Sequence, residues 1–387
     1  MKTRIAIITP TIYAIGGESR VVTVVANELS KKYDVTIYTC EKENKKSIYN
    51  LSDQIKVVHY YPYSKLPLAS IFRFVYRKTK LSFMEEHIKI LDYAYYSKAA
   101  VKKMEKSLSG KADVIIGVSG NLSILLGKSN LHNKAITIGW EHNSYEAYFN
   151  TPHKYMWKKN TIFKNAVLRL DHCVVLNEDI AKKYKENLGI SCKVIYNPRS
   201  FVSCEKSNLI NKQFIACGNF VEAKGFDLLI ESFNKFAQVN TEWNLVIIGD
   251  GEQKNKIEDL VFKYGLSDKV SLTGYIKDIR PQLLESSVYL LSSRWEGFPM
   301  CVTEAYEVGL PMICYDIPAV LPLTQNSEGI VVEAYNVKKF ADAMLFLAED
   351  ISIRRKMGEN AKKMASSISI ENIGEQWEKM IQNSNKR

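Results

Sequence analysis

The sequence predicts an α/β protein of two lobes, each a parallel sheet covered by helices on both faces. Three observations carry this. The 387 residues exceed what one hydrophobic core usually organises. Short β-branched runs alternate with amphipathic helical stretches along the chain. The alternation pauses at a polar stretch near residue 200, where the composition also shifts. A hydrophobic share of 46% and a charged share of 25%, with 15 Phe, 22 Tyr and 5 Trp, supply two cores and exclude a disordered chain.

The first lobe is expected over residues 1–196. "RIAIIT" is a buried strand that leads through Gly16-Gly17 into the helix "SRVVTVVANELSKK", and "DVTIYTC" is the next strand. "KVVHYY", "DVIIGVS", "AITIGWE", "HCVVLN" and "KVIYNP" continue the series. Residues 197–210 read as a linker. A second series fills 211–365: the strands "QFIACGNF", "NLVIIGDG", "VSLTGY", "VYLLSS", "PMICYD" and "GIVVE", with helices such as "GFDLLIESFNKFAQ" between them. Residues 366–387 end in a helix, "ENIGEQWEKMIQNSNK", that can pack back on the first lobe. Ligands of such folds bind where the carboxyl ends of the strands converge.

Charge is divided unevenly. Residues 1–200 carry a net +15 and the remainder −4, so the two lobes expect different partners. A basic lobe suits an anionic membrane surface or a phosphorylated substrate. Nucleic acid is disfavoured, since no zinc-finger or RNP-type motif occurs. The seven cysteines, at 40, 173, 192, 204, 217, 301 and 314, form no C-x-x-C pair, which argues against a disulfide framework or a zinc site and for a reducing compartment. The start, "MKTRIAIITPTIYAIGG", sets Lys2 and Arg4 before an apolar run as a secretion signal does. Pro10 interrupts that run, and no apolar stretch reaches the ~18 residues of a spanning helix. A cytoplasmic chain is expected.

Three loops that follow strands carry candidate chemistry. In "PTIYAIGGESRVV", paired glycines open a helix, which either makes a tight turn or lets a phosphate approach bare N–H groups. The G-x-G-x-x-G pattern of a dinucleotide enzyme is absent here and in "IIGDGEQ". "GNFVEAKGFDLLI" places Lys224 just before a helix, where its ammonium is either solvated or aimed at an anion. "SSRWEGFPMCVTEAYEVG" sets Glu296 and Glu304 eight positions apart around Gly297-Phe298-Pro299, with Pro299 suited to the first position of a helix. A helix start offers N–H groups to a diphosphate, and a carboxylate inside the first turns accepts paired hydrogen bonds from vicinal hydroxyls.

With the "GG" at 16 and 17, "GNF-VEAKGFDLLI" at 218–230, "NLVIIGDG" at 244–251, "VSLTGY" at 270–275 and the E-x7-E stretch at 296–305, the chain resembles the retaining glycosyltransferases of family 4 over nearly its whole length. The resemblance implies a GT-B fold, two facing Rossmann-like domains with a deep inter-domain cleft. It implies a nucleotide-sugar donor, with UDP the commoner nucleotide. Glu296 would contact sugar hydroxyls and Glu304 the ribose. Lys224 would neutralise the diphosphate, which Gly16-Gly17 would receive from the other lobe, and the backbone at Tyr275-Ile276 would meet the base edge. His142, after the strand "AITIG", matches the histidine beside the donor sugar, with Glu141 nearby.

Two departures stand out. Asn219 replaces the arginine usual after the glycine and carries no charge, so leaving-group stabilisation falls on Lys224, with Arg199 or Arg20 as candidate helpers. Ser19 stands where a glutamate is frequent. The implied reaction moves a hexosyl residue to an acceptor hydroxyl with retention, without a protein nucleophile. No D-x-D motif occurs, so no metal or other cofactor is expected.

The basic-aromatic segments 68–83, with Phe72, Arg73, Phe74, Tyr76, Arg77, Lys78, Lys80 and Phe83, and 153–170 suit peripheral contact with an anionic membrane, or are helices with solvated faces. The membrane reading points to a lipid-linked glycan acceptor, as in capsule, exopolysaccharide or O-antigen synthesis. A GT-B-like sugar-nucleotide epimerase and a non-catalytic GT-B binding protein are the alternatives.

Overall fold

The structure, a computed structural model, describes residues 2–41, 49–62, 71, 88–152 and 155–384. It divides into two compact units, Met1–Pro198 with Ile370–Arg387, and Arg199–Ser369.

The first unit is built on a seven-stranded sheet. Its strands are β1 (Arg4–Thr9), β2 (Asp34–Thr39), β3 (Lys56–His59), β4 (Val114–Val118), β5 (Ile136–Trp140), β6 (His172–Val175) and β7 (Lys193–Val194). They lie in the order β3-β2-β1-β4-β5-β6-β7, all parallel. Central strands covered on both faces need apolar side chains on both, and every residue of β4 is buried. The helix Ile370–Ser384 buries Ile373, Trp377 and Ile381 against this unit. Trp377 meets Trp140 edge-on at 4.8 Å, and Lys32 pairs with Glu378 at 2.7 Å.

The second unit has a six-stranded parallel sheet in the order β10-β9-β8-β11-β12-β13. The strands are β8 (Gln213–Cys217), β9 (Asn244–Ile248), β10 (Val270–Leu272), β11 (Val288–Leu291), β12 (Met312–Tyr315) and β13 (Gly329–Val332). The helix Phe226–Ala237 buries Phe226, Leu229, Ile230, Phe233 and Phe236, the stripe that its 3.6-residue spacing predicts. Phe236 and Trp243 both pack on Phe214.

The stretch expected as a linker, 197–210, belongs to the second unit from Arg199 onward. The backbone there is satisfied inside that unit: the Ser203 amide donates to Glu307, the Ser207 amide to the Val308 carbonyl, and the Leu209 carbonyl accepts from the Arg354 guanidinium. Ser203 and Leu209 are buried by this bonding, while Cys204, Glu205, Lys206 and Asn208 between and beside them stay exposed.

Candidate functional site

In the second sheet the chain steps from β8 to β9 on one side and later returns to β11 on the other. Loops leaving the carboxyl ends of β8 and β11 therefore diverge and open a crevice at the switch point. Lys224 is on the first loop, in a short 3₁₀ turn, Glu222–Lys224, and Glu296 is on the second. The Lys224 Nζ meets Glu296 Oε1 at 2.5 Å, and the Ser293 hydroxyl donates to the same oxygen at 2.7 Å.

The backbone holds the two loops together. The Arg294 amide donates to the Ala223 carbonyl at 2.7 Å, and the Ser292 hydroxyl to the Lys224 carbonyl at 2.9 Å. Arg294 also grips Asp227 with two nitrogens, at 2.8 and 3.0 Å, and Lys256 reaches the same carboxylate. Gly225 makes this approach feasible: its φ is +60°, and a Cβ there would lie 2.1 Å from the Ser292 carbonyl oxygen. A Cβ on Gly249, after β9, would lie 1.9 Å from the Gly218 oxygen, so the neighbouring loop is packed by glycine as well.

Burial opposes the charge on Lys224, yet the adjoining Glu296 carboxylate carries its pKa above the ordinary lysine value. Burial likewise works to raise Asp227, but hydrogen bonds from Arg294 and Lys256 win and bring it down to about 2. The ammonium in the crevice thus stays charged over the physiological range, held but not neutralised beyond one carboxylate.

The other second-unit candidates lie on the loops that follow β8, β10 and β11 and in the helix after β11. Gly297, Phe298 and Pro299 continue the β11 loop into the helix Met300–Glu307. Pro299 is the cap preceding that helix, not its first residue, because its ψ of 90° is extended. Glu304 lies one turn inside and is 3% exposed. Asn219 is exposed on the β8 loop, and Tyr275 and Ile276 lie on the β10 loop, which a Gly249–Gly274 bridge ties to the β9 loop. Arg199 does not serve the crevice: its guanidinium is committed to Glu307 at 2.7 Å.

The first sheet has its own switch point between β1 and β4. Gly16 caps the helix Gly17–Ser30, and the Gly16 amide donates to the Tyr49 hydroxyl at 3.0 Å. Arg20 lies over the Tyr49 ring, 4.9 Å from its centre. Ser19 is buried and donates to the Thr11 carbonyl, whereas the preceding Glu18 accepts from the Ser119 hydroxyl across the switch point. Burial raises the Glu18 pKa, which the Ser119 bond partly offsets. A cavity of about 340 Å³ opens here, lined in part by Pro10, Glu41, Ser119 and Asn121.

Glu141 and His142 follow β5. Glu141 is fully buried, accepts from the Ser123 hydroxyl at 2.5 Å, and is pushed by burial up to about 7. The His142 ring packs on Trp140 at 4.5 Å with its Nε2 sealed from solvent, and burial pushes it down to about 3. At neutral pH the histidine is an uncharged hydrogen-bonding group.

The two shifts act on stability in opposite senses. Glu141 holds a proton in the folded chain between about 4.5 and 7, so its contribution is full below 4.5 and is lost as pH rises through 7. His142 refuses a proton between about 3 and 6.5, so its contribution is present above 6.5 and is lost as pH falls toward 3. Glu141→Gln should therefore leave a melting temperature that climbs with pH across 4.5–6.5, and His142→Asn one that falls. Parallel calorimetric pH curves for both variants and the parent would refute the assignment.

Sequence reasoning missed Glu18, Arg294 and Asp227. Arg294 lies within the "SSRWEG" stretch already singled out, and the acid of the "GGES" loop was the available signal for Glu18. Of the two basic-aromatic segments, 68–83 lies outside the described residues except for Ile71. In 153–170, Met156, Ile162 and Phe163 are buried within the first unit, so their apolar surface serves the core. Among the described residues no helix is long and apolar enough to cross a membrane, and no group of three or more His, Cys, Asp or Glu is placed to hold a metal ion.

Residues 205–364 match the family model described as glycosyl transferases group 1. An uncharacterized glycosyltransferase of Haemophilus influenzae is 28% identical over 380 residues, covering 95% of this chain and 96% of the relative. These matches support a glycosyltransferase. The lipopolysaccharide core biosynthesis glycosyltransferase LpsE of Rhizobium meliloti is 29% identical over 38% of this chain and 42% of its own. Among solved structures, a mutant of S. aureus TarM in complex with fondaparinux, α-GlcNAc-glycerol and UDP superposes with a TM-score of 0.76 at 14% identity, covering 98% of this chain and all of that one. The fold is thus that of GT-B glycosyltransferases, two Rossmann-like domains with parallel sheets.

Proposed function

We propose that this glycosyltransferase moves a hexosyl residue from a nucleotide sugar, UDP-sugar foremost, to a hydroxyl of a lipid-linked glycan, retaining the α-configuration and needing no metal. The observation that carries the reading is the Lys224–Glu296 pair at the switch point of the second sheet, beside the start of the helix Met300–Glu307. A charged lysine and helix N–H groups together suit a diphosphate, and the part-buried Glu296 and buried Glu304 suit sugar and ribose hydroxyls.

In this reading Lys224 releases Glu296 to the donor sugar and takes up the charge that grows on the departing diphosphate. Glu304 holds the ribose. Asn219, Gly297, Phe298 and Pro299 line the donor, and the backbone at Tyr275 and Ile276 meets the base. Gly16, Gly17 and His142 keep the parts that the family resemblance assigns them, toward the diphosphate and the donor sugar. The departing oxygen takes the acceptor's proton, so the protein supplies charge and position and no nucleophile. Synthesis of a surface polysaccharide is inferred from relatives such as the one named for lipopolysaccharide core assembly.

The test is a melting and turnover panel of UDP-, GDP- and ADP-sugars, in EDTA and again with Mg²⁺, with the product anomer read by NMR. One nucleotide sugar should raise the melting temperature and turn over equally in both buffers, and Glu304→Ala should abolish the shift. If none of them stabilises the protein, the donor site is refuted. Asn219, exposed and uncharged in the β8 loop, favours a second reading in which the chain holds a nucleotide sugar without transferring it. Any transfer turnover excludes that reading.

A further inference from the structure

Sugar transfer makes no use of two cysteines that face each other across neighbouring strands of the first unit. Parallel β6 and β7 pair Val174 with Lys193 and Val175 with Val194. One residue back along each chain, Cys173 stands opposite Cys192. Opposed residues of parallel strands project to the same face, and adjacent strands lie ~4.8 Å apart. That spacing is inside the roughly 4.4–6.8 Å between Cα atoms that a disulfide bridges.

The nearby Cys192 thiol, with burial, raises the Cys173 pKa. Their exposures differ: Cys173 is buried, whereas Cys192 is reached by solvent. The Cys192 Sγ makes a weak bond to the Ile190 carbonyl at 3.9 Å. β7 is a two-residue strand at the sheet edge, so few ladder bonds resist the small shift that a covalent link requires.

We propose that Cys173 and Cys192 form a reversible dithiol–disulfide pair, a redox modification site in which Cys192 reacts first and Cys173 resolves. Hydrogen peroxide is the oxidant. The Cys192 sulfur attacks one peroxide oxygen and the O–O bond breaks; one water leaves and Cys192 becomes a sulfenic acid. The Cys173 sulfur then attacks the Cys192 sulfur, the S–S bond forms, the S–OH bond breaks, and the hydroxyl leaves as a second water with the Cys173 proton. Two electrons pass from the sulfurs to the peroxide, and a dithiol reductant reverses the step. Such a pair is compatible with a reducing compartment, where disulfides are transient sensors.

The experiment exposes the full chain to a few equivalents of hydrogen peroxide, blocks remaining thiols with iodoacetamide and digests without reductant. A peptide joining the Cys173 and Cys192 segments should appear and vanish after dithiothreitol. Cys192→Ser should give no linked peptide. Cys173→Ser, if its melting curve shows it folded, should stop at a sulfenic acid on Cys192 that dimedone traps. Wild-type protein that stays alkylatable at Cys192, runs on to the sulfinic acid without the linked peptide, or links Cys192 to the exposed Cys204 overturns the proposal. These wild-type outcomes decide the matter even where Cys173→Ser does not fold.

Discussion

Lys224→Ala is expected to lower kcat/KM for nucleotide-sugar turnover by about 100- to 1,000-fold, the cost of removing one preorganised group from a developing negative charge. Two effects combine. On the proposed reading the alanine withdraws the ammonium from the departing diphosphate, and the position where the resemblance leads one to expect an arginine is occupied by uncharged Asn219. It also strands Glu296, whose side chain is only 10% exposed, as an unpaired carboxylate facing an incoming anion. The second effect is separable, because Glu296→Gln in the Lys224→Ala background removes the repulsion. The double variant should therefore bind the donor more tightly than Lys224→Ala alone while its kcat stays low. Lys224→Arg keeps the charge but brings a planar fork to a site shaped by the lysine stem against Gly218, and should recover only part of the rate. A loss under tenfold for Lys224→Ala, measured in EDTA, would show that the leaving group is stabilised elsewhere.

Much of the architecture was legible because buried parallel strands leave a simple trace. "DVIIGVS" and "VYLLSS" are runs too short for helices and apolar on both faces, and they became β4 and β11 at the centres of the two sheets. The stripe Phe226, Leu229, Ile230, Phe233 and Phe236 was equally plain. The fate of 197–210 was not legible. Its composition read as a linker, yet its backbone bonds to Glu307, Val308 and Arg354, which come from far along the chain. The site divides in the same way. Lys224 and Glu296 were identified one at a time, from loops that follow strands, but their pairing depends on the β8–β11 adjacency and on Gly225 allowing the Ser292 carbonyl close. Arg294 and Asp227, which brace those loops, lie 67 positions apart and carry no local signal of each other. Glu18 shows the limit of pattern matching. Attention to Ser19 as a departure passed over the adjacent acid that bonds Ser119.

Glu307→Ala is expected to destabilise the second unit by about 3–5 kcal/mol, the range for breaking a buried ion pair by deleting one partner. Glu307 ends the helix Met300–Glu307 and is wholly buried. It accepts from Arg199 at 2.7 Å, from the Ser203 amide at 2.8 Å and from the Lys362 ammonium at 2.5 Å. Lys362 bonds the Ser203 and Glu307 carbonyls as well, and the Arg199 amide donates to the Ile368 carbonyl at 3.0 Å. One carboxylate thus binds the segment that opens the second unit to the segment that closes it, from the same helix that carries Glu304. Alanine would leave two cations, Arg199 and Lys362, facing each other in a site where their side chains are 14% and 20% exposed. Calorimetry should show the transition of this unit lowered by roughly 10 °C, with the first unit's transition less affected. Glu307→Gln retains an acceptor for the Ser203 amide and should fall between the two. Adding Arg199→Met and Lys362→Met to the alanine should restore part of the loss, because the uncompensated charges go with them. A melting temperature for Glu307→Ala within about 2 °C of the parent would mean that water reaches and solvates both cations, and that the helix bearing Glu304 is held by its apolar contacts alone.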